Sequence, residues 1–215
     1  MNAVKDSLKE LFVNWKTVPN LLSFLRILMV PVFAVLYING EQLWAIFVLF
    51  LSGLTDFLDG KIARRFNQIS ALGKILDPIA DKLTQITLSI VLFIAFNGCS
   101  DKILRTYSWV FLVFIIKELI MVIGSVIMLS MNIIPTAAEM HGKVATFVFY
   151  CIMIAIAAFG AEVGAVSKYY PSLTLSPLLS LILVIISAIL TVIALFSYIP
   201  GVIQQLKEHK ADAKK

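Results

Sequence analysis

The sequence has few charged residues and an excess of apolar ones. Charged side chains make up 14% of the 215 residues, and hydrophobic side chains make up 60%. Soluble domains carry about 25% charged and about 45–50% apolar residues, so a water-soluble protein of this composition would expose a large apolar surface. The composition therefore excludes a soluble enzyme and a disordered chain, and it indicates an integral membrane protein.

Cysteine is also scarce, which excludes a fold held together by disulfides. The chain has two cysteines, Cys99 and Cys151. They are expected at different depths, one near a membrane surface and the other inside an apolar run. We expect both to be small buried thiols rather than a disulfide pair.

Long apolar runs are what the sequence has in abundance. Six of them reach the length of a membrane-spanning helix, roughly 20 residues. They cover approximately 20–38, 43–64, 72–96, 108–129, 142–159 and 177–198. A strand barrel is excluded because the runs are continuous rather than alternating. We predict an all-α integral membrane protein, a six-transmembrane-helix bundle.

The two ends of the chain differ from this apolar centre. Residues 1–18 mix charged and apolar side chains at helical spacing and do not resemble a signal peptide. We predict an amphipathic juxtamembrane helix there, lying on the membrane surface. The membrane domain is then expected over 19–203, and a basic cytoplasmic tail over 204–215.

Basic residues orient the predicted bundle. Most of the 18 lysines and arginines fall on the side that holds both termini, whereas Lys102, Arg105 and Lys168 fall on the other side. Because basic residues accumulate on the cytoplasmic side, both termini are expected in the cytoplasm. The net charge of +5 is then explained by lysines that face anionic lipid, and no nucleic-acid partner is expected.

Four acidic residues interrupt the second and third apolar runs. Asp56 and Asp59 share one helix face, and Asp77 and Asp81 share a face of the next helix. A carboxylate at bilayer depth costs about 2.5 kcal/mol or more. A short turn joins the two helices, so the pairs can converge near their cytoplasmic end. Converging carboxylates bind hard divalent cations, and without a cation they could not all stay ionised.

Small and basic residues accompany the acids, as a phosphate ligand would require. Gly60 and Ala63 would let a ligand approach the helix closely. Arg64 is suited to pyrophosphate or a base, and Gly73 opens a helix whose first amides can meet an anion. Taken alone, the small residues are more often helix-packing positions.

Together these residues resemble the signature of a known family, the CDP-alcohol phosphotransferases. Its fixed positions are filled by Asp56, Asp59, Gly60, Ala63, Arg64, Gly73, Asp77 and Asp81. All eight positions fall within a 26-residue window at the family's spacing, which makes the match specific. The six-span pattern and the surface helix extend the resemblance to most of the chain.

The resemblance implies transfer of a phosphatidyl group from CDP-diacylglycerol to an alcohol, with release of CMP, in phospholipid biosynthesis. It implies one or two Mg²⁺ or Mn²⁺ ions bound by Asp56, Asp59 and Asp77, with Asp81 as the catalytic base and a further metal ligand. The residues that would line the CDP site are Asp56, Gly60, Ala63, Arg64 and Gly73. It further implies a homodimer in a bacterial inner membrane, with a cytoplasmic active site.

The acceptor alcohol is expected to carry a phosphate. The run from Val18 to Arg26 resembles phosphatidylglycerolphosphate synthases and eukaryotic-type cardiolipin synthases. Accordingly, sn-glycerol 3-phosphate is the expected acceptor, and phosphatidylglycerol is the alternative. Candidates for binding the acceptor phosphate are Lys117, Lys143 and Arg26. The pair Lys117-Glu118 departs from the Arg-Glu pair of many phosphatidylglycerolphosphate synthases, and Lys117 could instead pair with Glu118 or a catalytic Asp.

A cation or proton-coupled membrane transporter is the alternative from another class, because intramembrane carboxylates are common on ion pathways. Here, however, the acids are concentrated at one helix pair beside small residues and Arg64. No inverted repeat is evident either. An enzyme therefore remains the favoured interpretation.

Overall fold

The computed structural model describes residues 17–66, 68, 70, 72–131 and 140–212, and these ranges are largely helical. The α-helices are α1 Val18–Ile38, α2 Gln42–Arg65, α3 Gly73–Asn97, α4 Lys102–Tyr107, α5 Phe111–Ser130, α6 Met140–Phe159, α7 Pro177–Ser197 and α8 Ile199–Asp212. The described ranges contain no strand, and one isolated bridge joins Gly160 to Leu175. The prediction of an all-α protein is confirmed.

Among the described residues, six helical segments are long and apolar enough to cross a membrane, as the sequence predicts. They are Val18–Ile38, Gln42–Ala63, Ile75–Asn97, Lys102–Met128, Gly142–Phe159 and Pro177–Lys207. The last segment extends beyond its predicted end, because Pro200 and Gly201 lie inside α8 instead of closing the span. Proline is tolerated there because the first turn of a helix does not use its backbone N–H. The predicted surface helix lies outside the described residues, except for its last two positions.

The chain forms two compact units, Met1–Val91 and Leu92–Lys215. In the first unit, α1 packs along α2, and its side chains also bond to the beginning of α3. In the second unit, α7 packs against α4, α5 and α6. The predicted acid cluster belongs to the first unit, whereas the candidate lysines on α5 and α6 belong to the second.

Helix α1 has a polar buried face at its N-terminal half and an apolar exposed face. The buried residues recur every three or four positions: Asn20, Ser23, Arg26, Val30, Phe33 and Tyr37. The exposed residues include Leu21, Phe24, Leu28, Val32 and Val35. In lipid, a polar side chain is stabilised only when it faces protein or a wet cavity. The pattern of α1 therefore directs its polar stripe at α2 and α3.

Aromatic rings form the centre of the second unit. The rings of Phe96 and Phe111 lie 4.9 Å apart, and those of Phe114 and Phe149 lie 5.0 Å apart. All four side chains are buried. Tilted and edge-on ring pairs at this spacing pack favourably beyond their buried area. They connect the end of α3 with α5 and α6.

The two cysteines are free, so the expected absence of a disulfide is confirmed. The expectation that both are buried is wrong for Cys151, which is exposed on α6, whereas Cys99 is buried. Burial, and then the nearby charges of Glu162 and Asp101, raise the pKa of the Cys99 thiol to about 11. The thiol therefore stays protonated at neutral pH.

Hydrogen bonds to the carboxylate of Glu162 join the loop before α4 to the loop after α6. Glu162 accepts hydrogen bonds from the backbone N–H groups of Ser100, at 2.6 Å, and Asp101, at 3.0 Å. Glu162 adopts a φ of 61°, which is unfavourable for a residue with a side chain. The two charge-assisted bonds offset that cost and hold both loops at one edge of the second unit.

We expect Glu162→Gln to lower the thermal unfolding midpoint by about 2–4 °C, because the amide offers one acceptor oxygen where the carboxylate offers two. The measurement is thermal unfolding of the purified protein in detergent. Glu41→Gln is the matched control, since Glu41 caps α2 without a side-chain hydrogen bond. An equal midpoint for the two variants would contradict a stabilising role for Glu162.

Candidate active site

Three of the predicted acids converge on one guanidinium group. Nη1 of Arg26 lies 2.6 Å from Oδ1 of Asp56 and 3.0 Å from Oδ1 of Asp81, and Nη2 forms an ion pair with Asp59. Arg26 comes from α1, Asp56 and Asp59 from α2, and Asp81 from α3. The helix spacings that place each acid pair on one face thus bring Asp56, Asp59 and Asp81 to the same cation.

The fourth acid joins the cluster through a serine. Oγ of Ser23 donates to Oδ1 of Asp77, lies 3.5 Å from Oδ2 of Asp59, and lies 3.0 Å from the backbone oxygen of Pro19. A hydroxyl has one proton to donate, so these acceptors compete for it. Ser23 therefore links Asp77 on α3 to Asp59 on α2, and all four predicted acids belong to one cluster.

Burial divides the cluster into an enclosed end and an open end. The side chains of Arg26 and Asp59 are 2% and 5% exposed, whereas those of Asp56 and Asp81 are 54% and 46% exposed. A buried carboxylate needs a paired cation, which Arg26 supplies to Asp59. Asp56 and Asp81 remain reachable, so an incoming ligand would meet these two first.

The donor chemistry of the cluster fits a divalent cation, although the carboxylates now surround Arg26. Oxygens of Asp56 and Asp81 contact the same nitrogen atom, and Mg²⁺ and Ca²⁺ hold oxygen ligands at about 2.0–2.6 Å. Across the described ranges, no three acidic, histidine or cysteine side chains are grouped as a ready metal site. The guanidinium separates the carboxylates. A metal ion would need Arg26 to move.

Helix α3 begins against α1 through a small polar contact. Oγ of Ser70 accepts a hydrogen bond from the Gly73 N–H at 2.9 Å and donates to Oδ1 of Asn20 at 2.8 Å. A Cβ atom at Gly73 would lie 2.6 Å from that Asn20 oxygen. The sequence left two roles open for Gly73, contact with an anionic ligand and helix packing. The contact with Asn20 gives a physical basis to packing.

The other predicted residues are spread over both units. Ala63 is half-buried on α2. Gly60 and Arg64 also belong to α2, but their side-chain positions lie outside the described residues. In the second unit, Lys117 on α5 is 15% exposed and forms an ion pair with Glu118, which was one of the alternatives open for it. Lys143 is exposed near the beginning of α6.

Sequence reasoning missed the roles of Asn20 and Ser23, and it assigned Arg26 to a different partner. Their spacing carried the signal: Asn20, Ser23 and Arg26 are three apart in an otherwise apolar span. Such a stripe lies on one helix face and must be buried against polar groups in a membrane. The stripe alone, however, does not identify the helix that it faces.

The comparisons with known proteins agree with this site. A family model described as CDP-alcohol phosphatidyltransferase matches residues 16–196 of the chain. That range includes every member of the carboxylate cluster together with Arg26 and Ser23. No solved structure matches the chain.

Named relatives match shorter parts of the chain. A cardiolipin synthase (CMP-forming) from Streptomyces coelicolor is 39% identical over 137 residues, 61% of this chain and 60% of that protein. The human cardiolipin synthase (CMP-forming) is 50% identical over 78 residues, 36% of this chain and 26% of that protein. A CDP-diacylglycerol--glycerol-3-phosphate 3-phosphatidyltransferase from Cereibacter sphaeroides is 37% identical over 90 residues, 40% of each chain. The chain thus spans less than two thirds of each relative's length.

We expect Gly73→Ala to destabilise the protein by about 1 kcal/mol or more, because the added methyl group forces Asn20 away from Ser70. Gly53→Ala is the matched control: a Cβ there meets no atom within 4 Å, so it should be neutral or slightly stabilising. Both are measured by thermal unfolding in detergent. Equal stability of the two variants would show that Asn20 moves without cost.

Proposed function

Because this chain belongs to the CDP-alcohol phosphatidyltransferase family, we propose that it transfers a phosphatidyl group from CDP-diacylglycerol to an alcohol and releases CMP. The observation that carries the proposal is the convergence of four carboxylates from α2 and α3 on one polar cluster. A donor pyrophosphate is strongly anionic. Cations held by such carboxylates would neutralise it and allow an alcohol to approach.

The two carboxylates of α2, together with Asp77 of α3, are suited to hold the metal. Asp56, Asp59 and Asp77 would bind one or two Mg²⁺ or Mn²⁺ ions, with Asp81 as a further ligand. Bound there, the ions would stabilise negative charge on the pyrophosphate and on the departing CMP. Asp59 is 5% exposed, which supports a role in holding metal rather than in contacting an acceptor.

Asp81 is suited to act as the general base. Its side chain is 46% exposed, so a hydroxyl group can reach it. The acceptor oxygen attacks the phosphorus that bears the diacylglycerol, and its proton passes to Asp81. A new phosphorus–oxygen bond forms, the bond to CMP breaks, and CMP leaves with the electron pair.

The nucleotide is assigned to the residues around the turn between α2 and α3. Asp56 and the stretch Gly60, Ala63 and Arg64 lie on α2, and Gly73 begins α3. Small residues allow close approach of a ligand, and a guanidinium matches pyrophosphate oxygens. We assign the CDP moiety to this region and the diacylglycerol to the adjoining lipid.

For the acceptor, the relatives shift the preference to phosphatidylglycerol, which would make cardiolipin the product. The sequence alone favoured sn-glycerol 3-phosphate, yet the Streptomyces and human relatives carry the name cardiolipin synthase. The ion pair of Lys117 with Glu118 also weakens a role for Lys117 in clamping a small free phosphate. The Cereibacter relative keeps sn-glycerol 3-phosphate as a second candidate.

The protein is further assigned to a bacterial inner membrane as a homodimer, with the carboxylate cluster on the cytoplasmic side. Support for the sidedness comes from the basic residues around the α2–α3 turn, including Lys61 and Arg65. The transporter alternative is not supported by the comparisons, since the reported relatives carry the names of phospholipid synthases.

Release of CMP tests the proposed reaction directly. Purified protein is incubated with CDP-diacylglycerol and Mn²⁺ or Mg²⁺, together with phosphatidylglycerol, with sn-glycerol 3-phosphate, or with no acceptor. We expect CMP release that depends on phosphatidylglycerol, with cardiolipin detected by mass spectrometry. Release with sn-glycerol 3-phosphate instead would select the second candidate. No CMP with any alcohol would refute the transferase assignment.

The role of Asp81 is tested by Asp81→Asn. We expect the transfer rate to fall by about 100-fold or more, because the base that accepts the hydroxyl proton is lost. Metal-dependent binding of CDP-diacylglycerol should be largely retained. Asp101→Asn is the matched control, since asparagine also caps a helix such as α4. Equal loss of donor binding and transfer in Asp81→Asn would argue against the base assignment.

A further inference from the structure

Arg26 is paired with the carboxylates to which the proposed function assigns the metal. Its guanidinium contacts carboxylate oxygens of Asp56, Asp59 and Asp81, three of the four acids assigned to the divalent cation. One nitrogen, Nη1, contacts oxygens from two different helices. A metal ion held by Asp56 and Asp81 would compete with that nitrogen for their oxygens. In this arrangement Arg26 and a metal ion therefore compete for the same carboxylates.

The pairing of Arg26 is also incomplete. The side chain is 2% exposed, yet its Nε–H is buried without a hydrogen-bond acceptor. A buried donor left unpaired costs about 1–3 kcal/mol, and such groups are rare in native proteins. A guanidinium that served only as a permanent structural ion pair would be expected to use this donor. The orphan Nε–H indicates that Arg26 meets a further acceptor oxygen in another state of the site.

We propose that Arg26 is a positioning residue that holds Asp56, Asp59 and Asp81 in the metal-free protein and is exchanged for the divalent cation. The carboxylates then bind the metal, and the freed guanidinium, with all its N–H donors, turns to an oxygen of a substrate phosphate. This inference rests on the proposed function. It orders the events at the site, because the phosphate ligand gains Arg26 only after the metal has displaced it.

The shape of the cation, and not its charge alone, is what the proposal depends on. Arginine presents planar, forked donors that reach three carboxylates at once, whereas lysine presents a single compact ammonium group. A cation that merely repelled the metal through space would act equally as Arg or Lys. If the cation must be released from three carboxylates, lysine would hold them less firmly than arginine does. The metal would then displace lysine more easily.

The experiment measures Mn²⁺ binding to the full chain in detergent, without substrate, from the electron paramagnetic resonance signal of free Mn²⁺. The variants are Arg26→Gln and Arg26→Lys. Arg65→Gln is the matched control, because Arg65 is an exposed cation on the same helix as Asp56 and Asp59. We expect Arg26→Gln to bind Mn²⁺ about tenfold more tightly than wild type, within the usual range of coupling between two sites. The Mn²⁺ affinity of Arg26→Lys should lie between those of wild type and Arg26→Gln. The affinity of Arg65→Gln should be close to that of wild type.

The outcomes separate this inference from the proposed reaction. Binding of Mn²⁺ to Arg26→Gln no tighter than to Arg65→Gln, or wild-type affinity in Arg26→Lys, overturns the exchange. If Arg26→Gln does not fold, the affinity of Arg26→Lys decides alone. No Mn²⁺ binding by the wild type overturns the exchange and the metal assignment together. Tighter binding by both Arg26 variants, with no CMP release by the wild type, supports the exchange and contradicts the transferase.

Discussion

The pairing of one arginine with carboxylates from two other helices is the interaction on which the first unit depends. Carboxylates in apolar spans are tolerated only when a cation or a set of donors compensates them. Arg26 brings that cation from α1, and Ser23 adds a donor one turn earlier. The polar stripe of α1, its packing along α2, and its bonds to α3 all follow from the need to place these groups among the acids.

The need to place these acids also explains why the beginning of α3 packs closely against α1. Asp77 and Asp81 lie in the first part of this helix, so their positions depend on where α3 starts. The hydrogen bonds that join Asn20, Ser70 and the Gly73 N–H fix that start against α1. One helix thus supplies the countercharge and also the contact that sets the register of the acids. A substitution at Gly73 would therefore affect the cluster by shifting the backbone of α3, and not by contacting a ligand.

Features set by local spacing could be predicted from the sequence, and features set by long-range contact could not. The six spans follow from run length, and the two acid pairs follow from spacings of three and four residues on a helix. The partner of Arg26 did not follow, because Asp81 is 55 positions away and helical periodicity does not say which helices face each other. Arg26 was therefore assigned to an acceptor phosphate. The sixth span, predicted to end at about residue 198, continues into α8, because a proline in the first turn of a helix costs no hydrogen bond.

The cluster itself does not choose the acceptor. In the proposed reaction, phosphatidylglycerol and sn-glycerol 3-phosphate would both offer a hydroxyl group to Asp81 and a phosphate to a nearby cation, so the same carboxylates would serve either acceptor. Discrimination between the two acceptors would then depend on groups other than the carboxylates. Lys117 is paired with Glu118, whereas under the proposed exchange Arg26 would become available once metal binds. If the exchange holds, Arg26 serves whichever phosphate lies beside the metal, and acceptor choice passes to features outside the cluster. A lipid acceptor would arrive from within the membrane and a soluble one from water, so the route by which the hydroxyl group reaches the half-exposed Asp81 would then set specificity.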